Sequence, residues 1–119
     1  MAKLIKQRQK NDCVIAAIAM VVRTSYSKVR KICGPVGLGL YDHEVIWLIN
    51  NFGDWRITYP RKNYTVNEWS QRYPNSIVKV GYVFDKCGHA LAIVDGEVLD
   101  PSGNIAELND IVCSAIIPK

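Results

Sequence analysis

The run Asn11-Asp12-Cys13-Val14-Ile15-Ala16-Ala17-Ile18-Ala19-Met20-Val21-Val22 governs how the rest of the chain is read. Asn11 and Asp12 are good helix N-caps, and the apolar run begins at once after them. From Cys13 to Val22 the run is apolar on every side of a helix. Such a helix belongs in the middle of a fold, with other elements packed around it. It is only about half the length of a membrane span, so it reads as a buried helix.

Upstream lies a basic segment with Lys3, Lys6, Arg8 and Lys10. It has neither an apolar stretch of signal length at the right distance nor a small-residue cleavage site. The cluster is modest and reads as a solvated face, with no nucleic-acid partner expected. Downstream, Ser27 is expected to cap a short basic helix from Lys28 to Cys33. Gly34-Pro35-Val36-Gly37-Leu38-Gly39 then breaks the chain as a loop. It lacks a preceding strand, and Pro35 removes a donor, so it is not a phosphate cradle. Asp42 is expected to cap a helix through Asn51, with Val45, Leu48 and Ile49 on one stripe. Trp55 to Tyr59 reads as a strand. Thr65 and Glu68 form a capping box for a helix to about Tyr73.

The remainder is mostly β. Ile77 to Phe84 is a β-branched strand. His89 to Val94 and Glu97 to Leu99 flank Asp95-Gly96, the strongest short hairpin signal. Ile111 to Ile117 reads as the last strand. Helices first and an antiparallel sheet after them predict an α+β fold, with the helices packed on the sheet. Trp47, Trp55 and Trp69 are expected in the core.

The 119 residues fit one domain, with 49% apolar and 22% charged residues and a formal net charge of +4. That balance excludes a disordered chain, a collagen-like fibre and a coiled-coil rod. The four cysteines, Cys13, Cys33, Cys87 and Cys113, are too sparse for a disulfide scaffold. A cytoplasmic protein with reduced thiols is expected. Cys87-Gly88-His89 offers two metal ligands where a structural zinc site wants about four, so no metal is expected.

The chemistry begins with Cys13. At a helix N-terminus, unpaired N–H groups and the helix dipole favour a thiolate. A base for it must come from the two histidines, His43 and His89. His43 stands beside Asp42 and Glu44 on what reads as a solvated helix face. His89 opens the first hairpin strand. With Asp95-Gly96 as a two-residue turn, Val94 faces Glu97, Ile93 faces Val98 and Leu91 faces Asp100. His89 and Asp100 then lie diagonally on one face, roughly 7–8 Å apart at the backbone. An aspartate there fixes the imidazole tautomer and leaves the other nitrogen for a thiol. Pro101 holds Asp100 in an extended conformation. The Cys13 N–H is one candidate oxyanion donor, and an upstream amide is a second. Gln7 stands six residues before Cys13 and Gln9 four before; Asn11 is nearer but fits the helix cap.

The segment Gln7-Lys-Arg-Gln-Lys-Asn-Asp12-Cys13-Val-Ile-Ala-Ala-Ile-Ala-Met20 resembles the nucleophile segment of the bacteriocin-processing, papain-like C39 peptidases. Gly88-His89-Ala-Leu-Ala-Ile-Val94 and Leu99-Asp100-Pro101 resemble their His strand and Asp-Pro strand end. The order Gln, Cys, His, Asp matches, and the resemblance covers nearly the whole chain. It implies one papain-like domain over residues 1–119. It implies Cys13 as nucleophile, His89 as base, Asp100 as its orienter and Gln7 as oxyanion donor. Val14 stands where the family has Gly, and Ile77-Val-Lys-Val-Gly-Tyr82 lacks the family's Pro. No transporter is attached, so the substrate need not be a double-glycine leader.

The expected function is a cysteine peptidase cutting a peptide or isopeptide bond of a peptide or protein substrate, with no cofactor. Two alternatives use the same fold. One is a catalytically inactive module that binds a peptide or protein. The other is an acyl transferase that passes the same acyl-enzyme to an amine. Oligomeric state is not readable from these residues.

Overall fold

The computed structural model describes residues 3–9, 11–35, 40–81 and 88–119. Helix α1 (Cys13–Val21) comes first, followed by α2 (Tyr26–Cys33) and α3 (Asp42–Ile49). Strand β1 (Trp55–Thr58), helix α4 (Val66–Arg72) and strand β2 (Ser76–Val80) follow. The hairpin β3 (His89–Val94) and β4 (Glu97–Leu99) and the final strand β5 (Val112–Pro118) complete the order. The strands form one antiparallel sheet in the order β1-β5-β2-β3-β4. The expected α+β arrangement of helices on an antiparallel sheet is therefore what the chain adopts.

Helix α1 has the central place its composition predicts: every residue from Val14 to Val21 is buried. Alternation along the strands divides the core in two. Ile77, Ala90, Ala92, Val94 and Ile116 face α1, α2 and α3. Val78, Val80, Leu91, Ile93, Ala115 and Ile117 face the opposite way, where Val66 and Trp69 of α4 cover them. So the helices are divided between both faces of the sheet.

Several local expectations hold. Thr65 Oγ1 accepts the Glu68 N–H at 3.1 Å, and the Glu68 carboxylate accepts the Thr65 N–H at 3.1 Å. Asp95 and Gly96 take φ of 51° and 83°, the left-handed pair that a two-residue hairpin turn requires.

Others are corrected. The cap of α2 is Ser25, whose Oγ accepts the Lys28 N–H at 3.2 Å, and the helix starts at Tyr26 instead of Lys28. Asp42 is the first residue of α3, and its carboxylate is turned to Lys79 and Tyr59 instead of capping. Asp12 stands at the N-cap position of α1 without a side-chain cap bond. Trp55 and Trp69 are buried, but Trp47 is 61% exposed because it points away from the stripe of Val45, Leu48 and Ile49. Strand β2 begins at Ser76; the expected continuation through residues 82–84 lies outside the described residues, as does most of the Gly34–Gly39 loop. Among the described residues, no helix is long and apolar enough to cross a membrane.

Candidate active site

Cys13 is the first residue of α1 and is half-buried. The turn that delivers it is built around Asp12, which is fully buried. The Asp12 carboxylate accepts the N–H groups of Arg8 at 3.3 Å and Gln9 at 3.0 Å, and the Tyr26 hydroxyl donates to it as well. Arg8 lays its guanidinium over the Tyr26 ring, 4.3 Å from the centroid. Asp12 therefore satisfies backbone donors of the incoming segment, which explains why it does not cap the helix it precedes.

His89 opens β3, directly after Gly88. The hairpin has the predicted register: Val94 opposite Glu97, Ile93 opposite Val98 and Ala92 opposite Leu99. Carried one step further, Leu91 faces Asp100, and His89 is its diagonal neighbour. His89 Nε2 lies 2.5 Å from Asp100 Oδ1. The same oxygen accepts the Ser102 N–H at 2.8 Å, and the Gly103 N–H donates to the Asp100 carbonyl at 2.9 Å. Asp100 is thus both a turn residue and the partner of the histidine. By alternation His89 belongs with Leu91 and Ile93 on the α4 side. As the first residue of its strand, it reaches over the end of the sheet to the N-terminus of α1, where it hydrogen-bonds the Cys13 side chain. With Nε2 committed to Asp100, Nδ1 is the nitrogen left for the sulfur.

The electrostatics follow from these contacts. Burial pushes the Cys13 thiol up, but the hydrogen bonds from His89 and the Ala90 N–H, with the charges of His89 and Lys79, outweigh it. The net shift is downward, toward thiolate. The hydrogen bond to Cys13 raises His89 most; burial opposes it, Asp100 adds to it, and the imidazole is pushed up to about 9. Burial raises the Asp100 carboxyl, and the His89 and Ser102 hydrogen bonds more than reverse that. The three side chains favour a thiolate, an imidazolium and a carboxylate in series.

Gln7 is placed differently. Its backbone N–H donates to the Pro101 carbonyl at 2.8 Å, which ties the segment before Cys13 to the residue after Asp100. Its side-chain Nε2 donates to the Gln9 carbonyl at 2.8 Å. His43 is exposed on α3, stacked on Tyr41 with ring centroids 5.9 Å apart. It lines a cavity of about 480 Å³ between α2 and α3 with Cys33, Glu44 and Trp47. Cys13, Cys33 and Cys113 are free thiols, while Cys87 lies outside the described residues. Among the described residues, no group of three or more His, Cys, Asp or Glu is arranged to hold a metal ion.

Lys79 was not singled out from the sequence. It is 4% exposed on β2, and its charge acts on Cys13. Its signal was a lysine inside the apolar run Ile77-Val78-Lys79-Val80.

The chain matches no protein-family model and no curated protein by sequence. Its fold is similar to the crystal structure of the peptidase domain of Streptococcus ComA, a bifunctional ABC transporter involved in a quorum-sensing pathway. The TM-score is 0.69 at 18% identity, over 100% of both chains.

Proposed function

We propose that this chain is a cysteine peptidase of the C39-like kind, hydrolysing a peptide or isopeptide bond with Cys13, His89 and Asp100. The observation that carries the reading is the hydrogen-bonded series from Cys13 through His89 to Asp100. The fold it shares with the ComA peptidase domain supports a peptide or protein substrate. In this reading the Cys13 thiolate attacks the scissile carbonyl carbon, forming the C–S bond as the carbonyl π pair moves onto its oxygen. The Cys13 N–H and the Gln7 side-chain amide hold that oxyanion. His89 gives its proton to the departing amine as the C–N bond breaks, leaving an acyl thioester on Cys13. Water, giving a proton to His89, then adds to the thioester and releases the acid and the Cys13 thiolate, which restores the starting pair. Asp100 keeps the imidazole oriented throughout. The backbone bond from Gln7 to Pro101 supports the Gln7 assignment, because it fastens that residue next to the Asp100 end of the site. In this reading its amide, bonded to the Gln9 carbonyl through one N–H, offers the second N–H to the oxyanion. A thiol of this kind survives in a reducing compartment, so the cytoplasm is the location this reading implies.

The test is site-resolved alkylation with iodoacetamide at about pH 6, read by mass spectrometry. Cys13 is expected to label well ahead of Cys33, Cys87 and Cys113, and His89→Ala is expected to abolish that lead. Incubation with a peptide library is then expected to give products that have gained water. In that assay Gln7→Ala is expected to slow turnover by about 10²–10³, and an unchanged rate removes Gln7 from the site. A Cys13 no faster than the other cysteines overturns the reading. Amine conjugates in place of hydrolysed products would make the chain an acyl transferase. A reactive Cys13 with no product would make it a binding module.

A further inference from the structure

Strand β2 is buried along its whole length, yet its fourth residue is Lys79. Its neighbours Val78 and Val80 face α4, so Lys79 shares the α1 face with Ile77. In the sheet it stands between Ala90 on β3 and Ser114 on β5. Ala90 follows His89, and its N–H is one of the partners of the Cys13 sulfur. The lysine therefore sits one strand away from the histidine, on the side where α1 begins. Its Nζ donates to Asp42 Oδ1 at 2.7 Å, with the two side chains 5% and 27% exposed. Asp42 Oδ2 in turn accepts the Tyr59 hydroxyl at 3.1 Å. This series runs from the residue after β1, through the first residue of α3, to the middle of the sheet.

An ammonium in a strand interior is costly, and an apolar residue of similar length usually serves a strand as well or better. Its place one strand away from His89, with its charge acting on the Cys13 sulfur, supplies a reason for it to be there. We propose that Lys79 is an electrostatic positioning residue for Cys13: its ammonium holds the sulfur as thiolate, and Asp42 sets how much of that charge the sulfur feels. The proposal rests on Cys13 being the activated thiol of the reading above. Among the described residues, the charged groups acting on Cys13 are His89 from β3 and Lys79 from β2. Asp100 acts through His89, and Asp42 acts through Lys79. Asp12, though adjacent in sequence, is turned to Arg8, Gln9 and Tyr26.

The sign of the effect separates this role from a structural one. A tie between α3 and the sheet would be broken alike by removing either partner. An electrostatic role makes the two partners opposite. The experiment measures the rate of Cys13 alkylation against pH in the full chain and in Lys79→Met, Lys79→Arg and Asp42→Asn. Lys79→Met is expected to move the acid limb to higher pH and to cut the rate at about pH 6 by about threefold or more. Asp42→Asn, which leaves the lysine uncompensated, is expected to move the limb to lower pH and raise that rate. Lys79→Arg is expected to stay close to wild type. Shifts of Lys79→Met and Asp42→Asn in the same direction, or no shift in either, overturn the proposal. If Lys79→Met does not fold, the sign for Asp42→Asn alone decides. A wild-type Cys13 without enhanced reactivity overturns the underlying reading as well; a reactive Cys13 indifferent to both substitutions overturns only the role of Lys79.

Discussion

In an unfolded chain the Cys13 thiol keeps its proton up to about pH 9.0, while the His89 imidazole gives its proton up near 6.5. Folding brings the thiol down and pushes the imidazole up to about 9. In the proposed reading the folded pair holds one proton between pH 6.5 and about 9, on His89, and the unfolded pair holds one, on Cys13. His89 alone would lose stability as pH rises through that window, because its folded value is the higher one. Cys13 alone would gain stability there, because its folded value is the lower one. The proton counts match, so the two effects cancel. Below pH 6.5 the unfolded imidazole also takes up a proton, and for as long as the folded thiolate persists Cys13 alone distinguishes the two states. Stability from the pair then falls with pH until the folded thiolate is protonated. Urea midpoints of wild type and of the Cys13→Ala/His89→Ala double variant test this at about pH 5, 6, 7.5 and 8.5. The stability of wild type relative to the variant is expected to be level between the two upper values and to fall toward the lowest. A slope across the upper values would mean that the pair is not thiolate and imidazolium. At this scale Cys13, His89 and Asp100 were legible because each follows from a local rule, a helix start or a hairpin register. Lys79 was not, because its burial depends on β2 lying between β5 and β3, and strand order is a long-range property.

The hairpin is the element that gives the histidine its carboxylate partner. Its turn residues set the register, and the register sets Asp100 beside His89. What lies just before the hairpin matters as much. A Cβ on Gly88 would fall 1.5 Å from the Gly81 carbonyl oxygen and 2.2 Å from that of Val80. Only glycine lets the start of β3 close against the end of β2, and His89 is the next residue. Gly88→Ala is therefore expected to push the start of β3 away and to displace the imidazole. Alkylation of Cys13 at about pH 6 should fall by about a hundredfold while far-ultraviolet circular dichroism stays near wild type. A rate equal to wild type would show that the strand start has room that this packing denies it. The need for glycine here was not legible, since it comes from a neighbouring strand and not from a turn. The cap of α2 was misplaced for a similar reason. Ser25 and Ser27 are both competent caps. Starting at Tyr26 gives that residue its buried place on Asp12, a contact 14 residues away in sequence.

Across the molecule, the site depends on how closely α1 lies on β3. Ala16, Ala17 and Ala19 of the helix and Ala90 and Ala92 of the strand are all fully buried in one cluster. Small residues on both sides let the backbones approach, so the first residue of α1 meets the N–H of Ala90. Ala92→Leu is expected to overfill this layer and cost about 1–3 kcal/mol in a urea titration. It should also slow Cys13 alkylation, because lifting α1 moves the sulfur off His89; a loss of stability with full reactivity would show that the layer and the site are independent. The α+β class was legible from the order of helical and β patterns. The division of helices between the faces was not: the Thr65–Glu68 box says where α4 begins, not which side of the sheet it covers. Nor was the place of β5, because residues 112–118 pair with β1 and β2 across long stretches of chain. That placement has a consequence for biosynthesis. The strand joining β1 to the rest of the sheet is the one the ribosome releases after all the others. Until it emerges, β1 and the β2–β4 meander share no edge. On this topology β1 joins last, and in the proposed reading the newborn polypeptide carries an unarmed cysteine until His89 and Asp100 have followed it out of the ribosome.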